Sequence, residues 1–583
     1  MAIKLQEYNE LPQSSKNSIQ KLISNRKRIL SLVSIFAFLF LLLTLRPHPS
    51  YFLKAVDGNG SLCPKIEPMS PSYVNNSIEK ILYDPEFKEK SIKKFSGALK
   101  IPTVVQDINP PPSEDLEFWS AFFDFHQYLE KTFPLIYATL KVEKVNEVGL
   151  LYTWEGTNPS LKPMMLTAHQ DVVPVNPDTW NDWSYGPFSG TYDPITNTLW
   201  GRGSLDCKNL LIAELEAVEE LISNGYIPER TVLLAFGFDE ESSGVLGASH
   251  IGPFVLERYG KDGIYSIVDE GFGVAKINDN LYVATPITAE KGYVDVEIQV
   301  KGHGGHSSIP PKHTNVGVAA NFVSLLEYHP FKPQYTPSNP VWSFLYCLAE
   351  HDENLTPAAK KTILASKESK KEQKKLLSYL SDIFEFKELI RTSQAVDIFN
   401  GGIKSNALPE GATVVVNHRI ETGSNVKDTI DHDLDIATTV ARKFGYGLVF
   451  QGETLIPETP LGFIEVTTTN KSLEPAPRSP KEGSPVWEVF SRTIQDVFGT
   501  WVFRDGDIDF YVSESQASFN TDTRYYWDLT KNIYRFFGSV ITADQFSLFH
   551  SVNEHIEYSA HLSAVGFIYE YILNVNEHAS GES

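Results

Sequence analysis

Cysteine is scarce in this sequence. The three residues Cys63, Cys207 and Cys347 cannot build a disulfide framework, and none lies in a Cys-x-x-Cys pair suited to a structural zinc. A single Cys63–Cys347 bridge stays open for a chain in an oxidising lumen. Positive charge is also in deficit, with 51 Lys and Arg against 73 Asp and Glu, a formal charge of −22. That balance excludes nucleic acid as a partner, because phosphate binding needs a basic surface. Long apolar runs are almost missing. The one exception is residues 29–45, ILSLVSIFAFLFLLLTL, which as a helix would span about 25 Å. Lys4, Lys16, Lys21, Arg26, Lys27 and Arg28 precede it, and only Arg46 follows closely. The positive-inside rule therefore predicts a cytosolic tail (1–28), a transmembrane signal anchor (29–45) and a lumenal remainder. A cleaved signal peptide fits less well, since its apolar region is shorter and no small-x-small site follows Leu45. Acceptor triplets at Asn59, Asn75, Asn354 and Asn470 suit glycosylation of a lumenal chain.

At 583 residues the chain is too long for one ordinary domain. Residues 46–89 begin rich in Pro, Ser, Gly and Asn and read as a stalk. Beyond them, three apolar runs each end in ionisable residues: MMLTA before His169, TVLLAFGF before Asp239-Glu240-Glu241, and IYSIV before Asp269. Short β-rich runs between helical segments predict buried parallel strands, and the face of Leu211, Leu215, Val218 and Ile222 predicts a helix over 208–223. Open α/β sheets place their sites beyond the carboxyl ends of such strands. Near 291 the texture changes to the half-exposed alternation of YVDVEIQVKG, repeated in ATVVVNHRI at 412–420. Between these lies a Lys-rich helical stretch, KESKKEQKK, which reads as a solvated helix face. The expected fold class is α/β. A catalytic domain (90–290 and 476–583) with a mostly parallel central sheet is interrupted by an inserted α+β lid or dimerisation domain (291–475).

His169, Asp171, Asp206, Glu240, Glu241, Asp269 and His550 are the residue types that a hydrolytic metal pair requires. Imidazole and carboxylate act as ligands, one carboxylate bridges, and a further carboxylate takes a proton. Six motifs then occur in order: HQDVVP at 169–174, GRGSLDCK at 201–208, DEESSG at 239–244, VDEG at 268–271, GHGGHSS at 302–308 and FHSVNEHI at 549–556. Over roughly 90–575 the chain resembles the aminoacylase/carboxypeptidase family of two-zinc metallopeptidases. The resemblance implies that His169 and Asp269 hold one zinc, that Glu241 and His550 hold the other, and that Asp206 bridges both. It implies that Asp171 orients His169 and that Glu240 is the general base. His306 would stabilise the oxyanion, often from the partner subunit of a homodimer. Arg419, Arg524 and Asn406 would bind the free carboxylate of a short peptide. A cis peptide is implied at Asp206–Cys207, with Cys207 structural, and a vacuolar membrane or lumen is implied as the compartment. N-acyl amino acids are the rival substrates, because they need the same metal chemistry. An inactive, membrane-tethered binding protein that kept the peptidase fold would have lost a zinc ligand or the base, and none is lost. The family's usual glycine after the Asp-x-Lys element is Asn209 here.

Overall fold

The computed structural model describes residues 60–73, 77–468 and 472–579. The anchor and the sequons at Asn59, Asn75 and Asn470 lie outside the described residues, while Asn354 is exposed. No helix among the described residues is long and apolar enough to cross a membrane.

Six strands and three helices position the site. The strands are β1 (Met164–His169), β2 (Val232–Gly237), β3 (Ile267–Lys276), β4 (Gly292–Gly302), β5 (Gly411–Ile420) and β6 (Ile533–Ile541). The helices are α1 (Lys208–Ser223), α2 (Val341–His351) and α3 (Tyr558–His578). The predicted apolar runs become β1, β2 and the start of β3, side by side in a ten-stranded sheet. β1 pairs parallel with β2, from Met164 opposite Val232 to His169 opposite Gly237, and parallel with β3 on its other edge. β1 and β2 are buried along their whole length, as strands covered by helices on both faces must be.

The sheet is mixed, parallel where β1, β2, β3 and β6 meet and antiparallel at the outer strands beyond β2. Strand Gly149–Trp154 joins β2 antiparallel, and Lys141–Val145 joins that strand antiparallel in turn. Only three residues link these two outer strands, with Asn146 at φ 48° and Glu147 at φ 67°. So short a link cannot cross over to make a parallel pair.

Helix α3 is buried on nearly every side, as its apolar content around the whole circumference requires. It packs on α1, and one of its few polar residues explains the departure at Asn209. His561 lies 2.6 Å through Nδ1 from Asn209 Oδ1 and 3.1 Å through Nε2 from Glu216 Oε2, so the asparagine satisfies a buried imidazole.

The inserted segment forms its own six-stranded sheet, in which β4 and β5 pair antiparallel from Gly292–Ile420 to Lys301–Gly411. Their alternating burial follows the sequence, and helices Asn315–Tyr328 and Val426–Phe444 cover the apolar face. The helices in the middle of the insertion pack elsewhere. Trp342, Leu345 and Leu348 of α2, with Leu376 and Leu380, form a cluster with Ile277, Leu281 and Tyr511 on the flank of the ten-stranded sheet. The Lys-rich stretch lies partly on helix Lys370–Leu380, which buries only Leu376 and Leu380. Cys63 and Cys347 are joined in a disulfide that ties the segment before the first helix to α2.

Candidate metal centre and substrate cleft

The carboxyl ends of β1 and β2 and the interior of β3 bring the acidic residues together. His169, the last residue of β1, lies 3.1 Å through Nε2 from Asp206 Oδ1. The other oxygen of Asp206 lies 2.9 Å from His550 Nε2, which is itself 3.1 Å from Glu241 Oε2. One carboxylate thus faces two imidazoles, as a bridging ligand must. The nitrogen of His169 turned away from Asp206, Nδ1, is 3.0 Å from the Asp171 backbone oxygen and 3.3 Å from its Oδ1. Those acceptors keep the proton on Nδ1 and leave Nε2 free for a ligand. Asp171 also accepts the backbone N–H of Glu240 through Oδ1 (3.2 Å) and that of Glu241 through Oδ2 (3.0 Å). A single buried carboxylate therefore braces both the β1 and β2 loops.

At β3 the structure places Glu270, not Asp269, beside the cluster. Glu270 Oε2 is 3.6 Å from His169 Nε2. Asp269 lies buried near Arg535, Glu290 and Glu214. The cause is a break in register: Asp269 pairs with Arg535 and Phe272 with Phe536, leaving Glu270 and Gly271 as extra residues on β3. Such a bulge re-aims the side chain at its apex. Gly271 permits it, since a Cβ there would meet the Arg535 backbone at 2.6 Å. Glycine inside an otherwise regular strand, directly after Asp-Glu, is the sequence signal that could have singled out Glu270.

Glu554, four residues beyond His550, was also missed. It is fully buried, and its Oε1 accepts the backbone N–H groups of Gly203, Leu205 and Asp206 at 3.0, 2.8 and 3.3 Å. Its Oε2 takes Arg202 at 2.6 Å. The loop carrying Asp206 is thereby clamped to the loop carrying His550. The Asp206–Cys207 peptide is cis. Cys207 is buried, which pushes its thiol well up, away from the thiolate form of a nucleophile.

The electrostatics suit a cation. Burial, then the neighbouring Glu270 charge, holds Glu240 well above the usual carboxylate range. Burial and the Asp206 charge push Glu241 up to about 7, and burial pushes Glu270 up to about 8. Hydrogen bonds to Asp206 and Glu241 lift His550 to about 10. Burial works against ionising Asp206, but the two histidines overcome it and hold the group well below its ordinary value. Glu241 Oε1 is buried without a hydrogen-bond partner, and His169, Asp206 and Glu241 present donor atoms within 4.8 Å of one another. An orphaned carboxylate oxygen beside an imidazole, in a cluster of carboxylates and histidines, fits divalent cation binding.

One pH effect follows. The values of Glu241, Glu270 and His550 in the folded protein lie above the ordinary 4.5 and 6.5. The stability these groups contribute is therefore fully present below the unfolded values and is lost as pH rises through the folded ones. Asp206 acts oppositely, only at acid pH. Cations need the deprotonated forms. The rise in Tm on adding zinc to the metal-free protein is thus expected to be larger at pH 8 than at pH 5.5; equal shifts would contradict this ionisation pattern.

Phe519, Asn520, Phe537, Phe546 and Phe549 wall the cleft over these groups. At its edge Arg419 donates through Nη1 to Asn520 Oδ1 at 3.1 Å, with its guanidinium 4.9 Å from the Tyr293 ring centre. Burial lowers the Arg419 pKa, and so does the nearby charge of Arg524, whose Nε donates to the Thr521 oxygen at 3.1 Å. The two arginines therefore gather beside Asn520. His306 and Asn406 do not line the cleft. They sit exposed in or beside the two-stranded ribbon Gly305–His306/Ala407–Leu408, where the Ser307 N–H donates to the Asn406 oxygen.

The comparisons agree with this architecture. The family model for peptidase family M20/M25/M40 matches residues 165–574. Carboxypeptidase S of Saccharomyces cerevisiae is 51% identical over 557 residues, covering 94% of this chain and 96% of that protein. The human N-fatty-acyl-amino acid synthase/hydrolase PM20D1 is 31% identical over 497 residues, covering 83% and 87%. Among solved structures, an M20 family metallo-carboxypeptidase from Sulfolobus solfataricus shares the fold at TM-score 0.56 and 17% identity, covering 83% and 99%. With that coverage and identity, the chain belongs to peptidase family M20/M25/M40 and is a carboxypeptidase S-like metallo-carboxypeptidase.

Proposed function

We propose that the enzyme is a zinc-dependent carboxypeptidase that releases C-terminal residues from short peptides, of the Gly-X type, in the vacuolar lumen. The run of contacts Glu270–His169–Asp206–His550–Glu241 carries the reading. His169 and Glu270 would hold one zinc, His550 and Glu241 the other, with Asp206 shared. Bound zinc ions polarise a carbonyl and lower the pKa of a water towards neutrality. Glu240 lines the same cleft and makes none of these ligand-type contacts. Its backbone is fixed by Asp171 and its carboxyl favours holding a proton, so it takes the proton of the attacking water and passes it to the departing amine. Arg419 and Arg524 offer the planar donor groups that a terminal carboxylate pairs with. Zinc-restored hydrolysis of a blocked Gly-Leu peptide after chelation is the direct test; activity that survives complete metal removal would end the reading.

His306 adds the oxyanion donor from a second copy. The Ser308 N–H points at His306 Nδ1 at 3.1 Å, so Nδ1 is the acceptor and Nε2 carries the hydrogen in the neutral ring. That hydrogen stands exposed on the insertion, outside its own cleft, which supports a two-fold homodimer with shared sites. Mixing inactive His306→Ala and Glu240→Gln chains under subunit exchange is expected to restore up to about a quarter of the activity, since one site in each mixed dimer keeps both groups. No recovery despite exchange would remove the shared site.

The membrane anchor is part of the same proposal. The Cys63–Cys347 disulfide supports an oxidising lumen for the catalytic part. Protease added to intact vesicles is expected to spare residues 60–579; their loss without detergent would reverse the topology.

The apolar walls of the cleft favour a second substrate class, N-acyl amino acids. These carry the same amide bond and free carboxylate.

A further inference from the structure

One polar residue interrupts the apolar face of β5. Ala412, Val414, Val416 and Ile420 pack under the helices that cover the inserted sheet, and His418 is fully buried among them. Its Nε2 lies 2.8 Å from Asp433 Oδ2 on helix Val426–Phe444, and its Nδ1 lies 3.1 Å from the backbone oxygen of Ser393. Asp433 is equally buried, and its Oδ1 lies 3.0 Å from His432 Nδ1. The remaining nitrogen of His432, Nε2, is 2.8 Å from the His329 oxygen at the end of helix Asn315–Tyr328. All four ring nitrogens therefore face acceptors, either a carboxylate or a backbone carbonyl. A neutral imidazole has one N–H, so only the imidazolium form satisfies both partners of each ring. The other neighbours are uncharged or acidic. Val294 stands opposite His418 on β4 and Gln394 on the edge strand. Phe331 lies against His432 with ring centres 4.1 Å apart, and Asp435 adds a further negative charge.

These contacts end beside a residue of the cleft. His418 precedes Arg419 on β5, and the strand's alternation turns the two side chains to opposite faces. Ser393 belongs to the edge strand Ser393–Gly401 and is held twice: its backbone oxygen by His418, and its hydroxyl oxygen by the Arg419 N–H at 3.3 Å. We infer that His418 is a positioning residue for Arg419 and works as an acid-closed clasp: as an imidazolium paired with Asp433, it fastens the edge strand to β5 at the Ser393–Arg419 pair. The inference rests on the proposed reading of Arg419 as a carboxylate-binding group. When His418 loses a proton, it keeps the one on Nε2 for Asp433 and turns a lone pair on the Ser393 oxygen, and the fastening opens. Burial opposes the charges of His432 and Asp433. The bond and charge of Asp433 nevertheless hold His432 above its ordinary 6.5, and the two histidines hold Asp433 below its ordinary 3.8. The His432 contribution to stability is fully present below 6.5 and is lost as pH rises through its raised value. The Asp433 contribution is present above 3.8 and is lost as pH falls. The clasp is tightest between these limits and opens on the alkaline side.

The test compares zinc-loaded, full-length wild type, Asp433→Asn and His418→Gln on benzyloxycarbonyl-glycyl-leucine from pH 5.5 to pH 8. Asp433→Asn keeps the side-chain volume and removes the charge that holds the second proton on each ring. Contacts to the substrate carboxylate form before the reaction, so their loss raises KM and spares kcat. The variant-to-wild-type ratio of KM is expected to be about tenfold at pH 5.5 and to fall towards one at pH 8, where the wild-type clasp is open too. Dividing by wild type cancels the ionisations at the metal centre that all three proteins share. A ratio constant across the range, at one or at any higher value, would make His418 a structural residue only and overturn the clasp. Arg419→Ala, run alongside, is expected to raise KM by about tenfold or more. If its KM is unchanged, the carboxylate reading of Arg419 fails and this inference with it; a flat ratio beside a responsive Arg419→Ala sinks the clasp alone. Amide exchange in the wild type decides the matter even if neither variant folds. Peptides covering 393–401 and 411–420, corrected for the intrinsic rate, should lose protection relative to β1 and β2 between pH 5.5 and pH 8. Unchanged relative protection would overturn the inference.

Discussion

Replacing Glu240 by Gln is expected to lower kcat by about 10²- to 10⁴-fold while the purified enzyme keeps its full metal content. Glu240 lines the cleft but stands outside the chain of carboxylate–imidazole contacts, so no ligand is lost. Its backbone N–H keeps its bond to Asp171. The amide fills the same volume and cannot accept a proton, so the change isolates proton transfer from packing. Split readings are informative. Metal loss in this variant would make Glu240 a ligand, and activity within tenfold of wild type would move the base elsewhere.

The second large effect separates two adjacent acids. Glu270→Ala should remove about one metal ion per subunit and lower activity by at least roughly a hundredfold, because a vacant ligand position costs both binding and carbonyl polarisation. Asp269→Asn should retain both ions. Asp269 sits among Arg535, Glu290 and Thr167, where burial pushes its carboxyl up to about 6. An uncharged amide there costs chiefly its share of the buried network, which a lower Tm would report. Elemental analysis of the two proteins decides the point: an Asp269→Asn protein short of metal beside a fully loaded Glu270→Ala protein would restore the assignment made from the motif alone.

That reversal of neighbours shows where the sequence is legible and where it is not. His169 and Glu241 could be placed at strand ends because an apolar run stops and ionisable residues begin, and the structure puts β1 and β2 there with the expected burial. The helix over 208–223 and the alternation of β4 and β5 are equally direct consequences of periodicity. Glu270 is different. Period-2 reasoning lets only every second residue of a strand face the site, and the two residues left over between the Asp269–Arg535 and Phe272–Phe536 pairs interrupt that alternation through a partner strand far along the chain. The same limit explains α2. Whether its apolar face covers the insertion or the flank of the ten-stranded sheet depends on partners such as Ile277 and Tyr511. Glu554 read as one more acid in a motif, because a carboxylate that accepts three backbone N–H groups looks like any other until the loop it holds is folded. Arg419 and Arg524 were both candidates and converge on one corner, whereas His306 and Asn406 stand apart from the cleft, a separation that no linear motif carries.

The position of β6 has a bearing on how the enzyme is made. This strand, Ile533–Ile541, lies between β3 and Ile287–Glu290 in the middle of the sheet, and His550 and the Glu554 clamp follow it directly. A chain made from its amino-terminal side delivers His169, Asp206, Glu241 and Glu270 hundreds of residues before these last pieces. Until they arrive, the sheet has a gap at its centre, the loop of Asp206 has no carboxylate to rest on, and one imidazole is missing. A chain still short of β6 therefore carries five of the six motifs but lacks a central strand of the sheet, so the cleft is completed only after His550 has been made.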